Sequence, residues 1–192
     1  MAISIRKAER ADALQVAAII DIAGHGIEAE FWNANRDEDG SPLSAARRMI
    51  LEDPTLPYHF SRCWLLEVDG EPAGGLIGGL NAETAEIAQG FPSYFTPLME
   101  LETLVPGYWA IIAVTVYREF RGQGLARGIL DFGRAEAERC GAKGLSIVVE
   151  DTNEAAIGLY RRWGFVDHST RPWVPYLDQT GPGFWVLLIR PF

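Results

Sequence analysis

A chain of 192 residues with 48% hydrophobic and 22% charged positions carries enough apolar material for one packed core, which excludes disorder over most of its length. Its 17 basic and 26 acidic residues leave a net charge of −9, and this argues against general nucleic-acid binding, because phosphate backbones call for a basic surface. An acidic surface suits cationic substrates such as amines, although solubility alone more often explains it.

Cys63 and Cys140 stand too far apart for a zinc pattern or a disulfide framework and read as small buried or half-buried thiols. The N-terminal Met-Ala-Ile-Ser-Ile-Arg-Lys-Ala-Glu lacks the apolar core of a signal peptide. No apolar run approaches the roughly 18 to 20 residues that cross a bilayer. The expectation is a soluble cytoplasmic protein with no membrane partner.

In chain order, Ala2 to Arg6 alternates like a short strand, and Ala11 to Ile22 places Leu14, Ala17, Ala18 and Ile22 at helical spacing. Gly24-His25-Gly26 interrupts, and Ile27 to Trp32 fits a short second helix. Ser41-Pro42 is a helix start, with serine as cap and proline in the first turn, for a helix ending near Asp53-Pro54. His59 to Val68 and Pro72 to Leu80 read as strands joined at Asp69-Gly70, a strong hairpin signal. Gly74, Gly75, Gly78 and Gly79 in the second of them mark a bulge or a close approach of another segment. Residues 81–107 read as an insertion between the third and fourth strands, with one or two short helices, the first over Ala82 to Ala88. Tyr108 to Val116 is a buried strand, Leu125 to Cys140 a helix stopped by Gly141, and Leu145 to Val149 another buried strand. Asn153 to Trp163 is a helix capped within Asp151 to Asn153 and ended by Gly164. Strands begin at Phe165-Val166 and at Phe184, separated by a loop containing Pro172, Pro175 and Pro182. The order βα(α)ββ, insertion, βαβαββ indicates an α/β fold with mixed pairing, and residues 1–192 read as a single domain.

The stretch Val114-Thr115-Val116-Tyr117-Arg118-Glu119-Phe120-Arg121-Gly122-Gln123-Gly124-Leu125-Ala126 carries the chemistry. A β-branched run passes through a basic, glycine-containing loop into a helix. The first helical N–H groups lack intrahelical partners and sit at the positive end of the dipole, so the loop is an anion site. Gly122 and Gly124 let backbone approach a phosphate, and Arg121 adds a cation. No Gly-x-x-x-x-Gly-Lys-Ser/Thr string is present. Gly122-x-Gly124-x-x-x-Gly128 departs from the dinucleotide fingerprint in spacing and in its place late in the chain.

Arg121, Gly124 and Ala126 fill the Arg/Gln-x-x-Gly-x-Gly/Ala signature of the GNAT superfamily of acyl-CoA-dependent N-acetyltransferases, which this stretch resembles. Asn153-x-x-Ala156-x-x-Leu159-Tyr160-x-x-x-Gly164-Phe165 is similar to that superfamily's second block, in the right order and at the right distance. The resemblance is close over residues 109–168. It implies a GNAT-like mixed sheet of about six to seven strands, splayed at the two central parallel strands and flanked by helices on both faces. It also implies acetyl-CoA as co-substrate. The N–H groups of Arg121, Gly122, Gln123, Gly124, Leu125 and Ala126 would hold its pyrophosphate. Val114, Thr115 and Val116 would pair with the pantetheine arm, and Asn153 with Ala156 would lie near it. Tyr160 would protonate the departing thiolate as general acid. Each assignment has a simpler rival: Arg121 as a solvated charge, Asn153 as a helix cap, Tyr160 as core.

The attacking amine must be neutral, whereas a lysine-like amine has a pKa of about 10.4, so a base is needed. Many relatives carry a glutamate on the strand equivalent to Tyr108 to Val116, and this strand has no acid over Trp109 to Val114. Glu102, Glu150 and Asp151 are the candidate bases, each with a rival reading as a solvated carboxylate. His25, His59 and His168 belong to no recognisable constellation. No ligand cluster implies a metal. The aromatics Trp32, Phe91, Tyr94, Phe95, Tyr108 and Trp173 suit a cation cage, and equally a core or an interface. The acceptor is a small-molecule amine or a protein amine, with a homodimer as the assembly expected from the resemblance. The competing readings are a non-catalytic acyl-CoA sensor and an interaction module.

Overall fold

The computed structural model describes residues 1–83, 87, 90–176 and 181–192, and among them are seven strands and six α-helices. The strands are β1 (Ile3–Lys7), β2 (Cys63–Val68), β3 (Glu71–Leu80), β4 (Trp109–Val116), β5 (Gly144–Glu150), β6 (Val166–Pro172) and β7 (Phe184–Pro191). The helices are α1 (Ala13–Ala23), α2 (Ile27–Ala34), α3 (Pro42–Glu52), α4 (Thr96–Glu102), α5 (Leu125–Arg139) and α6 (Glu154–Arg162). Hydrogen bonding orders the strands β1-β2-β3-β4-β5-β7-β6 in one open sheet. Pairing is mixed: β4 runs parallel to β5, while β1–β2, β2–β3, β5–β7 and β6–β7 are antiparallel. The chain forms two compact units, residues 1–79 with 112–135 and residues 80–111 with 136–192.

In the first unit, Val16, Ile19 and Ile20 of α1 share a core with Phe31 and Trp32 of α2, Ala46 and Ile50 of α3, and Leu65 and Leu76 of the hairpin. The cap expected at Ser41 is reciprocal: Ser41 Oγ accepts from the Ser44 N–H (3.2 Å) and Ser44 Oγ from the Ser41 N–H (2.9 Å). Asp69 and Gly70 both have positive φ (51° and 84°), as a two-residue hairpin turn with the right twist demands.

The glycines of β3 answer to close approach. Gly74 has φ +145°, and a Cβ there would collide with the Thr115 carbonyl of β4. A Cβ on Gly75 would strike Ile19 Cδ1 of α1. The β2–β3 register also shifts between Leu66 and Glu67, opposite this stretch. Gly74→Ala is therefore expected to cost at least about 3 kcal/mol, because it adds backbone strain to a backbone collision. Gly70→Ala, where the added methyl meets open space, should cost only about 1–2 kcal/mol. Equilibrium urea unfolding of the two variants checks the contrast, and equal losses would contradict it.

In the second unit, β5 is buried along most of its length and pairs with β7 over all seven of its residues. It also pairs in parallel with β4, Trp109–Ile111 against Leu145–Ile147. Helix α4 packs on β5, β6 and β7.

Three expectations need correction or fall outside the description. Residues 59–62 are not strand: Phe60–Arg62 close a 3-10 turn, with the Arg62 N–H on the His59 carbonyl (2.8 Å). Cys140 is exposed, because α5 ends at Arg139 and the chain turns away at Gly141 (φ +71°), whereas Cys63 is buried as expected. The helix expected over Ala82 to Ala88 lies largely outside the described residues. The rest of the insertion does contain the expected helices, a 3-10 turn at Ser93–Phe95 and α4.

Candidate functional site

Beyond Val116 the chain bonds back to β3 through the Tyr117 N–H and the Ala73 carbonyl (2.9 Å), then makes a 3-10 turn at Arg118–Phe120. Arg121 is exposed and its Nε donates to the Val116 carbonyl (3.0 Å), clamping the loop to the end of β4. Gly122 and Gly124 take φ of +79° and +78°, a conformation that side chains resist. The Gly124 carbonyl then accepts from the N–H groups of Arg127 (3.1 Å) and Gly128 (3.4 Å), which opens α5. Among the described residues the N–H groups of Gly122, Gln123, Gly124, Leu125 and Ala126 have no hydrogen-bond acceptor. Among the described residues no atom outside the flanking chain lies within 4 Å of a Cβ placed at Gly122 or Gly124. Five unsatisfied donors at the positive end of a 15-residue helix form an open anion cradle.

The backbone of β4 divides by parity. Thr115 is buried, its hydroxyl donates to the Ile19 carbonyl (3.1 Å), and its own carbonyl faces Gly74. Tyr117 points its N–H the same way. The N–H and C=O groups of Val114 and Val116 therefore face the opposite edge. Both groups of Val114 lie on that edge. The Val116 carbonyl is taken by Arg121, leaving its N–H.

In the second unit, Asn153 Oδ1 caps α6 by accepting from the Ala156 N–H (3.1 Å), and Ala156 is partly exposed. The Asn153 amide NH₂ has no acceptor among the described residues. Tyr160 is buried, with its ring edge-on to Phe165 (5.7 Å between centroids). Its hydroxyl has no hydrogen-bond partner among the described residues, and burial raises its pKa above the ordinary phenol value. Such a phenol stays protonated.

Two of the predicted acids differ in setting. Glu150, the last residue of β5, is buried and accepts from the Tyr176 hydroxyl (2.6 Å). Glu102 ends α4, and desolvation pushes its carboxyl up to about 7. Asp151 follows Glu150, with Oδ1 buried and lacking a partner among the described residues. The histidines serve turns and surface: His25 has φ +51°, His59 Nδ1 lies 2.7 Å from Ser61 Oγ, and His168 is exposed. Sequence reasoning missed Tyr176 and Trp185. Trp185 lies directly opposite Glu150 in the β5–β7 register, and no local pattern announces that alignment. Among the described residues no three His, Cys, Asp or Glu side chains are grouped to hold a metal ion, and no helix is long and apolar enough to cross a membrane.

The family model described as Acetyltransferase (GNAT) family matches residues 27–165, a span that includes the cradle, Asn153 and Tyr160. The chain belongs to the GNAT acetyltransferase family. Solved structures share the GNAT fold. An N-acetyltransferase from Staphylococcus aureus Mu50 is 18% identical, with a TM-score of 0.64 over 100% of this chain and 99% of that one. The apo form of an agmatine N-acetyltransferase mutant is 16% identical, with a TM-score of 0.66 over 99% of both chains. A putative streptothricin acetyltransferase from Bacillus anthracis str. Ames, in complex with acetyl coenzyme A, is 16% identical, with a TM-score of 0.51; this chain spans 61% of its length, using 68% of its own. No curated protein matches the sequence. As a GNAT acetyltransferase the chain is an enzyme.

Proposed function

We propose that this GNAT acetyltransferase moves an acetyl group from acetyl-CoA to a primary amine by direct attack. The observation that carries the reading is the run of unpartnered N–H groups from Gly122 to Ala126 at the start of α5, shaped for a pyrophosphate. Acetyl-CoA supplies the activated thioester, and the chain does the rest. The cradle and Arg121 hold the phosphates. The outward groups of Val114 and Val116 bond the pantetheine amides as an added strand would, and the Asn153 amide NH₂ donates to the same arm. A Val114 or Val116 N–H meets the charge that grows on the acyl oxygen.

The chemistry needs three proton movements. Glu102 takes a proton from the substrate ammonium, so that the nitrogen lone pair attacks the acyl carbon. The new N–C bond forms as the C–S bond breaks, Tyr160 gives its proton to the departing sulfur, and the second proton shed by the acylated nitrogen restores the Tyr160 phenol. Desolvation makes the phenol a weaker acid, but it makes a thiolate leaving into the same surroundings a stronger base. A glutamate at about 7 is well matched to its task near neutral pH.

The reading is tested by thiol release from acetyl-CoA with a panel of primary amines, alongside thermal unfolding. Release should depend on the amine, and acetyl-CoA at a hundred times its Kd should add about 2.7 kcal/mol of stability. Stabilisation without amine-dependent release would favour an acyl-CoA sensor. Failure of acetyl-CoA to stabilise the fold would favour an interaction module.

A further inference from the structure

Two buried polar atoms near the C-terminal end of β5 lack a hydrogen-bond partner among the described residues, Nε1 of Trp185 and Oδ1 of Asp151. Trp185 is only 4% exposed. The register sets Glu150 opposite Trp185, so both side chains rise from one face of the sheet. Asp151 follows directly, with its N–H on the Phe184 carbonyl (2.9 Å). Tyr176 ties the two sides together: its hydroxyl donates to Glu150 at 2.6 Å, and its ring stacks on Trp185 with centroids 6.2 Å apart and planes 15° from parallel. Tyr94 continues this ring wall from Tyr176 (6.0 Å between centroids) and is itself partly exposed, which connects the wall to solvent.

A buried donor and a buried acceptor left open are costly unless something completes them, and natural folds keep few such groups. The two groups ask for opposite things. The carboxylates and ring faces suit a cation. The indole N–H asks for an acceptor oxygen. A plain alkylamine meets only the first demand, and an anion meets only the second.

We propose that this face is the recognition site for the acceptor. Glu150 and Asp151 take its ammonium, and Trp185 Nε1 donates to an oxygen within a few bonds of that nitrogen. The acceptor is thus a small amine of the amino alcohol, amino amide or amino acid kind. The assignment of this amine as acetyl acceptor rests on the acetyl-transfer reading above. Glu102 remains the base, and Trp185 sets specificity.

Calorimetric titration of the protein without acetyl-CoA, using matched amine pairs, tests the site independently of turnover. Ethanolamine is compared with propylamine, and glycinamide with butylamine. The oxygen-bearing member of each pair should bind about five- to tenfold tighter, the worth of one neutral hydrogen bond. Trp185→Phe keeps the ring but removes the donor, so it should abolish the preference and leave acetyl-CoA affinity unchanged. Glu150→Gln should weaken both members of a pair alike. Equal binding within each pair by the wild-type protein overturns the proposal and needs no variant to fold. So does binding of neither member, or a preference that survives in Trp185→Phe. If these amines bind as expected but none triggers thiol release, the binding site stands and the acetyl-transfer reading fails.

Discussion

Tyr160→Phe is expected to lower kcat about 10²- to 10⁴-fold while leaving KM for acetyl-CoA nearly unchanged. The substitution keeps the ring and removes only the hydroxyl. The ring stays edge-on to Phe165, so the packing that seats α6 survives. The lost hydroxyl has no hydrogen-bond partner among the described residues, so its removal orphans no other group. Thermal stability should therefore be equal to or above that of the parent, which separates chemistry from folding. A residue acting only as core would give the same stability result with an unchanged kcat. Steady-state kinetics under conditions where chemistry limits the rate decides between them. Full activity in the phenylalanine variant would remove Tyr160 from the acid role.

The contrast between Thr115 and its neighbours shows why a strand motif must be read in three dimensions. Val114, Thr115 and Val116 look equivalent in the sequence, as three candidates for docking an extended arm. Thr115 instead spends its hydroxyl on α1 and its carbonyl on the close approach to Gly74. It holds β4 at the register in which Val114 and Val116 turn their groups outward. The Gly74 contact and the outward-facing edge are thus one arrangement, and damage to the first should propagate to the second.

Much of the fold is legible because its causes are local. The cradle needs two positive-φ glycines before a helix, and Gly122 and Gly124 stand at those places in the string. The Asp69-Gly70 turn, the Ser41 cap and the stop at Gly141 depend on a few neighbouring residues, and each forms as its chemistry dictates. What escapes the sequence depends on pairings between distant residues. Nothing near Glu150 indicates that Tyr176, 26 positions on, bonds to it, or that β7 aligns Trp185 across from it. Glu28 of α2 is of a residue type that usually stays at the surface. Burial, with Asp21 nearby, nevertheless raises its carboxyl to about 8. Cys140 fails in the other direction, since the helix pattern suggested cover that the turn at Gly141 removes.

The pH profile offers the second large effect. Glu102 can accept a proton only when ionised, and its carboxyl is raised to about 7 by desolvation. For the wild-type enzyme kcat/KM for the amine should fall on the acid side of about pH 7, approaching tenfold per pH unit, because this ratio reports the free enzyme's ionisation. Glu102→Gln should reduce the plateau about 10²-fold or more and erase that acid limb, leaving a flat residual rate across the same range. Stability moves the other way. The folded state binds a proton at Glu102 up to about pH 7, while the unfolded chain releases it near the ordinary glutamate value of about 4.3. Wild-type stability from this group therefore declines as pH rises through that window and is lowest above it. Glutamine removes the decline, so the variant should be more stable than the parent above pH 7 and no different well below the ordinary glutamate value. An inactive variant that melts higher at alkaline pH is the signature of a desolvated base. Loss of activity accompanied by lower stability, or an acid limb that persists in Glu102→Gln, would assign the proton transfer to another carboxylate, with Asp151 the next to substitute.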